Sequence, residues 1–472
     1  MSFDFSISDF EKIVYAEKNT VPMMDSIGFD SSMVQESYSD VQKSVSNLNE
    51  SLELTINEPE QYKLQLKIRE AFGLRNSINM GRIADHPDFK DLVNGGQRKH
   101  YITTMFVDIK GSTKLSLKYP NDLEFIYKFK NAVIKSCIEV IHAFDGHVHR
   151  IMGDAVLGFF GSTKREISRS QSILDCLNAG SMLTVILEQT IKPWLKQQKS
   201  DFDVLDFGFR VGCNFGDTDD VLWANYGFGH VGEVSPTGLP VDLAAKLQGL
   251  ASKNNIMMGQ GLLEFFNFPH DFSEIKKVIE NGVYVEKKFI YNPNYTKADG
   301  SKLNYIMRSL KTHKYILGLP LPLELKSFIA INVSDSDKII PNNKFNLSAK
   351  LVNPNTNHES DYYSNSKVIQ KKSKIKAVLT ANSLNFGEMY KVIFYKKNNS
   401  GFNDEEILKQ YLEEEEDSQE LKGENAQSIA YFFTTKEFKR DCSFKGLHYI
   451  KCEVIDKKGS VVFRDYIYVP IE

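Results

Sequence analysis

Between residues 101 and 265 the apolar positions change period several times, and each change marks an element. Tyr101–Ile109 (YITTMFVDI) is dense in aromatic and β-branched residues and reads as a strand. Phe125, Phe129, Val133 and Ile138 then recur at helical spacing, which predicts a helix from about Asp122 to His142. Two short strands follow, His147–Ile151 and Ala155–Phe160, joined through Met152–Asp154. A helix is expected over about Ile167–Gln189, then a strand at Asp206–Asn214 and a glycine-rich passage at Gly227–Gly232. A helix at Val241–Ala251, a strand within Asn254–Gln260 and a short helix before Phe266 complete the run. That order suits an antiparallel or mixed sheet covered by helices, rather than a TIM barrel or a doubly wound fold.

The flanks have a different texture. Val41, Val45, Leu48 and Leu52 keep helical spacing, Pro59 interrupts it, and Leu64 and Ile68 resume it, which predicts an N-terminal helical arm over residues 1–98. The helix-covered module spans 99–285, and a connector occupies 286–330. The connector opens inside strand-like Val283–Ile290, turns at Lys297–Lys302 and carries GLPLPLE at Gly318–Glu324, whose prolines suit a fixed bend. Strands are expected at Lys326–Val333, Lys374–Thr380, Met389–Lys396, Gln427–Phe433, Leu447–Ile455 and Ser460–Val469. A helical pattern lies near Asp404–Glu420, with the acids of Glu413–Asp417 facing solvent. Residues 331–472 thus read as an all-β sandwich of about seven strands, and the fold class as α+β.

Composition narrows the function. The 472 residues suggest about three domains. Lys+Arg number 58 against 61 Asp+Glu, a net charge of -3, which argues against a polybasic nucleic-acid coat. No direct nucleic-acid binding is expected, and the basic segment Lys367–Lys376 is read as a solvated strand face. Five scattered cysteines form neither a disulfide framework nor a zinc site and suit a reducing cytoplasm. No apolar run reaches 18 residues, so no membrane insertion is expected.

Candidate chemistry gathers in four blocks. In Phe106-Val107-Asp108-Ile109-Lys110-Gly111-Ser112-Thr113 a strand delivers Asp108 to its end, and Gly111-Ser112-Thr113 opens a helix. Backbone amides at such a start can cradle phosphate oxygens, and a carboxylate beside them suits a divalent cation held against those phosphates. Asp and Ser before a helix are, on their own, ordinary caps. The second block, Arg150-Ile151-Met152-Gly153-Asp154, places another carboxylate at a tight turn between strands. If the strands are neighbours, Asp108 and Asp154 could share two cations that activate a hydroxyl and neutralise a triphosphate. The third block is Arg210–Gly216. The fourth, Gly238–Lys246, starts a helix on which Asp242 and Lys246 share a face, where a surface ion pair is the plain alternative. His147, His149 and His230 receive no role.

Together the four blocks resemble the catalytic domain of class III nucleotide cyclases, over roughly residues 99–262. The resemblance implies a ferredoxin-like fold and a head-to-tail homodimer with composite sites. Asp108, Ile109 and Asp154 of one subunit would bind two Mg²⁺ or Mn²⁺ ions. Asp242 and Lys246 would come from the other, and Ile109, Gly111, Ser112 and Thr113 would hold the β- and γ-phosphates. The ribose 3′-oxygen would attack the α-phosphorus and expel pyrophosphate. The sequence departs from adenylate cyclases at the base-reading positions, with Arg150 for the family's Lys and Ser235 ahead of the last helix; Asp242 and Lys246 replace the usual Asn and Arg. An arginine can aim two parallel hydrogen bonds at a carbonyl-bearing base edge, a pyrimidine O2 or a purine O6. With its β-rich C-terminal part, the chain looks like the pyrimidine cyclases of bacterial anti-phage signalling, and that part resembles AGS-C type sensor domains. The expectation is a cytoplasmic cytidylate cyclase acting on CTP, with cyclic CMP passed to a separate effector protein. Uridylate cyclase, adenylate or guanylate cyclase, and a non-catalytic nucleotide-binding regulator stand as alternatives.

Overall fold

The computed structural model describes residues 3–15, 62–228, 231–290, 295–382, 384, 388–402, 415–422 and 434–472. The arm periodicity at Val41–Leu52 and the strand expected at Gln427–Phe433 lie outside them. Helices α1 (Ile7–Tyr15) and α2 (Lys63–Ala71) pack on the helix-covered module, Phe10 meeting the Trp194 ring edge-on at 5.4 Å.

The strands that follow are β1 (Gln97–Lys99) and β2 (Ile102–Lys110), then α3 (Ser112–Lys118) and α4 (Leu123–Ala143). Asp122 caps α4 by accepting from the Phe125 amide. Next come β3 (His147–Met152), β4 (Ala155–Phe160), α5 (Arg169–Ile186), α6 (Lys192–Gln198) and β5 (Gly208–Gly216). The glycine-rich passage belongs to a pair of antiparallel strands, β6 (Leu222–Phe228) and β7 (Val231–Thr237). Beyond it lie α7 (Leu239–Leu250), β8 (Asn255–Gly259), α8 (Gln260–Phe265), β9 (Ser273–Glu274), the hairpin β10 (Lys276–Glu280) and β11 (Val283–Lys287), β12 (Phe289–Ile290) and β13 (Tyr305–Leu310).

The main sheet has the order β12-β13-β8-β5-β2-β4-β3, with β9 on β13, and among its described residues only β5 and β8 run parallel. It is the helix-covered mixed sheet that the pattern predicts. Its edge departs from expectation, because β13 pairs with β8 from inside the segment read as a connector. Helix α5 is buried almost all round. One side meets the sheet, and the other meets α9 (Thr312–Ile316) and the C-terminal sandwich. There Asn178 accepts from Tyr315 Oη at 2.9 Å and from Asn365 Nδ2 at 3.0 Å.

Lys326–Val333, expected as a strand, begins instead inside helix α10 (Leu323–Ile329), which starts after Pro322 and buries Leu325 and Ile329 on one face. Short apolar runs do not distinguish the two states, and a proline at the boundary favours the helix start. Two four-stranded sheets follow. One has the order β15 (Glu359–Tyr362), β14 (Phe345–Val352), β16 (Lys374–Ala381), β19 (Thr434–Asp441). The other has β18 (Glu415–Lys422), β17 (Met389–Lys397), β20 (Gly446–Ile455), β21 (Val461–Ile471). Their inner faces share one apolar core, from Phe345, Leu379 and Phe438 to Phe394, Val454 and Phe463. The acidic stretch expected as a helix is strand β18 from Glu415 on, and its register sets Glu415 opposite Lys396 and Glu420 opposite Lys391.

Candidate active site

Strand β2 is the centre of the site. Asp108, near its end, stands opposite Ala155 of β4 and opposite Arg210 of β5. The Ile109 amide donates to the Asp154 carbonyl at 3.3 Å, so the two aspartates that the sequence singles out lie side by side. Gly111 takes the left-handed conformation, φ 91°, and a Cβ there would come within 2.5 Å of the Asp206 carbonyl oxygen. That turn starts α3 and carries Ser112 beneath Asp154, where its buried hydroxyl donates to Oδ2.

Each aspartate commits one oxygen to the protein. Arg210 donates to Asp108 Oδ2 from Nε at 2.9 Å and also from Nη2. Oδ1 of Asp108 and Oδ1 of Asp154 accept no hydrogen bond among the described residues. Both residues are partly exposed. No group of three or more His, Cys, Asp or Glu side chains able to hold a metal occurs among the described residues. Two free carboxylate oxygens still fit hard divalent cations such as Mg²⁺, which take one or two protein carboxylates and complete their shell with phosphate oxygens and water. Arg210 belongs to the third sequence block, but nothing in consecutive residues points to its contact with Asp108, which the β2–β5 register creates.

Arg150 lies away from the aspartates and faces β7. Its Nε donates to Glu233 Oε2 at 3.0 Å, and Nη2 pairs with Oε1. The two parallel donors expected to meet a base are therefore held by Glu233, a residue not singled out from sequence. Next to this pair, His149 Nε2 lies 3.2 Å from Ser235 Oγ. Consecutive strand residues normally point to opposite faces; here a register shift between Val148 and Arg150 lets both reach β7. His149 is buried against Phe159, and desolvation, followed by the charge of Arg150, lowers its pKa to about 4. The ring is neutral at physiological pH.

Asp242 and Lys246 are exposed on α7 and form neither the i,i+4 ion pair nor any other among the described residues. Helix α7 packs tightly on β5, since a Cβ on Gly212 would lie 2.4 Å from the Ala244 carbonyl oxygen. Phe228, Val231 and Leu239 around it expose apolar surface, Phe228 at 82%.

A mixed sheet that sets Asp108, near the end of β2, beside Asp154 of the β3–β4 turn, with a β-sandwich behind it, fits a nucleotide cyclase; the chain belongs to the class III nucleotide cyclases that carry a C-terminal sensor domain. Residues 324–472 match the family described as "Adenylyl/Guanylyl and SMODS C-terminal sensor domain". The chain is homologous to a cytidylate cyclase of Escherichia coli, 33% identical over 87% of this chain and 88% of that one. It is similar to a cytidylate cyclase of Staphylococcus aureus, 29% identical over 84% and 85%. Among solved structures, the adenylyl cyclase CyaB from P. aeruginosa matches 46% of this chain and 95% of its own at 18% identity, with a TM-score of 0.35. The reaction class is cyclisation of a nucleoside triphosphate by a phosphorus–oxygen lyase. No helix among the described residues is long and apolar enough to cross a membrane.

Proposed function

We propose that the chain converts CTP into 3′,5′-cyclic CMP and pyrophosphate, and that the product serves as a messenger in anti-phage defence by acting on a separate effector. The observation that carries the choice of base is the Arg150–Glu233 pair. Among the described residues it leaves the guanidinium Nη1 without a partner, beside Glu233, whose Oε2 accepts from Nε and keeps a second lone pair. Cytosine offers acceptors at O2 and N3 next to a donor at N4, and a carboxylate is a fitting partner for that N4 group. Uracil carries a donor at N3 and an acceptor at O4, the reverse order. The cytidylate cyclases among the relatives support the same reading.

In this account the 3′-oxygen bonds to the α-phosphorus as the bond to the pyrophosphate oxygen breaks. Asp108, the Ile109 backbone and Asp154 would hold two Mg²⁺ or Mn²⁺ ions, which when bound lower the 3′-hydroxyl pKa and neutralise phosphoryl charge. The Ile109–Thr113 turn, with Gly111, Ser112 and Thr113, would take the β- and γ-phosphates. Arg210 fixes the Asp108 carboxylate so that Oδ1 stays free. Lys246 would meet phosphate oxygens from across a homodimer interface, with Asp242 on the ribose hydroxyl or orienting Lys246. The unpaired state of both residues and the exposed apolar rim of Phe228, Val231 and Leu239 support a composite, dimeric site. The test is separate incubation with ATP, GTP, CTP and UTP in Mn²⁺, with products identified by mass spectrometry. Cyclic CMP as the main product is expected, and cyclic UMP or a cyclic purine in its place overturns the assignment.

A further inference from the structure

Behind the catalytic domain a cavity of about 560 Å³ lies between the 319–324 turn and the sandwich, within the roughly 300–1,000 Å³ typical of ligand clefts. Its floor is the edge of β14. The Asn382 amide donates to the Lys344 carbonyl, which fixes the alternation along β14, so that Lys344 and every second residue after it bond to β16. Phe345, Leu347 and Ala349 therefore turn their backbone groups to the opposite edge. Strand β15 pairs there only with residues 349–352. Leu347 consequently has no backbone partner on that side among the described residues, and it lines the cavity.

The rim is acidic. Glu324 and Asp361 line the cavity, are exposed and make no ion pair among the described residues. Asp465, also in the lining, is answered by buried Lys326 at 2.5 Å. Leu321, Tyr466 and Ile467 supply apolar wall between these charges. An open ladder rung, apolar walls and unanswered carboxylates are the requirements of strand addition by an extended peptide that alternates basic and apolar side chains.

We propose that this groove binds such a basic, extended peptide by continuing the β15 edge of the sheet. The proposal is independent of the nucleotide that the enzyme cyclises. The occupant would lie against a segment rigidly joined to the catalytic domain. Ser364, in the cavity wall, donates to the Gly318 carbonyl at 2.5 Å, and Asn365 exchanges hydrogen bonds with Asn178 of α5.

The test is calorimetric titration of the full chain with four probes. These are acetyl-Val-Lys-Val-Lys-Val-amide, its Glu counterpart, the Lys peptide N-methylated at its central residue, and spermidine. The Lys peptide is expected to bind saturably. N-methylation should weaken it at least about tenfold by removing a ladder donor, and the Glu peptide should not bind. Asp361→Lys with Glu324→Lys, both exposed positions, should weaken the Lys peptide by a similar factor. Equal binding of the N-methylated or acidic peptide, displacement of the Lys peptide by spermidine, or no binding at all overturns the proposal.

Discussion

Replacing Glu233 by Gln tests how the base is chosen, because it keeps the side-chain volume and removes the charge. Glu233 Oε2 accepts from Arg150 Nε at 3.0 Å, and Oε1 is shut off from solvent against Nη2. The ion pair is half-exposed on the arginine side, so it contributes less than about 1 kcal/mol to folding, and the variant should fold normally. Its effect on recognition is larger. A hydrogen bond from cytosine N4 to a carboxylate is worth about 1.5–3 kcal/mol, in the range of a single base-discriminating contact. Losing that preference lowers the ratio of kcat/KM for CTP over UTP by about 10- to 100-fold, with most of the loss in the CTP value. The assay is an equimolar mixture of CTP and UTP, since competing substrates yield products in the ratio of their kcat/KM values. A ratio that moves by less than about twofold in a folded E233Q protein of unchanged oligomeric state refutes the donor–acceptor reading of the pair.

Asp108→Ala and Asp154→Ala should each abolish turnover without changing the oligomeric state seen by size-exclusion chromatography; full activity in either removes the account of two cations held by the pair. Lys326→Ala strands the Asp465 carboxylate in the interior and should cost about 3–5 kcal/mol by denaturant unfolding, whereas Lys326→Met combined with Asp465→Leu should recover most of it. Acid should destabilise the protein below pH 6.5. Burial lowers His86 to about 3 and His142, His149 and His448 to about 4, so they stay neutral in the fold while the unfolded chain takes up their protons between pH 6.5 and 4. Glu139, raised to about 8 by burial, works the other way, holding a proton in the fold that the unfolded chain releases above about pH 4.5. Asp175, also raised by burial, adds to that opposition. On balance stability should fall on the order of 1 kcal/mol per pH unit as pH drops from 6.5 to 5; urea unfolding that shows no loss over that range contradicts the burial of these rings as neutral groups.

Much of the fold shows in local pattern, and the exceptions share a cause. The strand ending in Asp108, the helix after Asp122 and the Gly153–Asp154 turn announce themselves through spacing and turn chemistry. Strand β13 does not, because its six residues (YIMRSL) at Tyr305–Leu310 become a strand through pairing with β8 some fifty residues earlier. Strand β18 is the clearest case. Its acids carry low strand propensity, yet its register aligns them with the lysines of β17. Helix α10 is obscured for the same reason. An apolar run with one lysine resembles a strand until Asp465, far along the chain, gives that lysine a buried partner.

The same distinction runs through the site. Asp108 and Asp154 were legible because each sits where a strand meets a turn, and the chemistry of a turn is written in consecutive residues. Arg210 lies 102 positions from Asp108 and Glu233 lies 83 from Arg150, so neither contact exists until the sheets assemble. A bulge compounds the difficulty, because an extra residue is defined only by counting against the partner strand. With a regular β3, a two-residue period would send His149 and Arg150 to opposite faces, and only one could meet β7. The register shift after Val148 brings both to the same neighbour, His149 to Ser235 and Arg150 to Glu233. On the proposed reading of Arg150, strand register therefore matters as much as residue identity: without the bulge, an arginine at position 150 would not share β7 with His149.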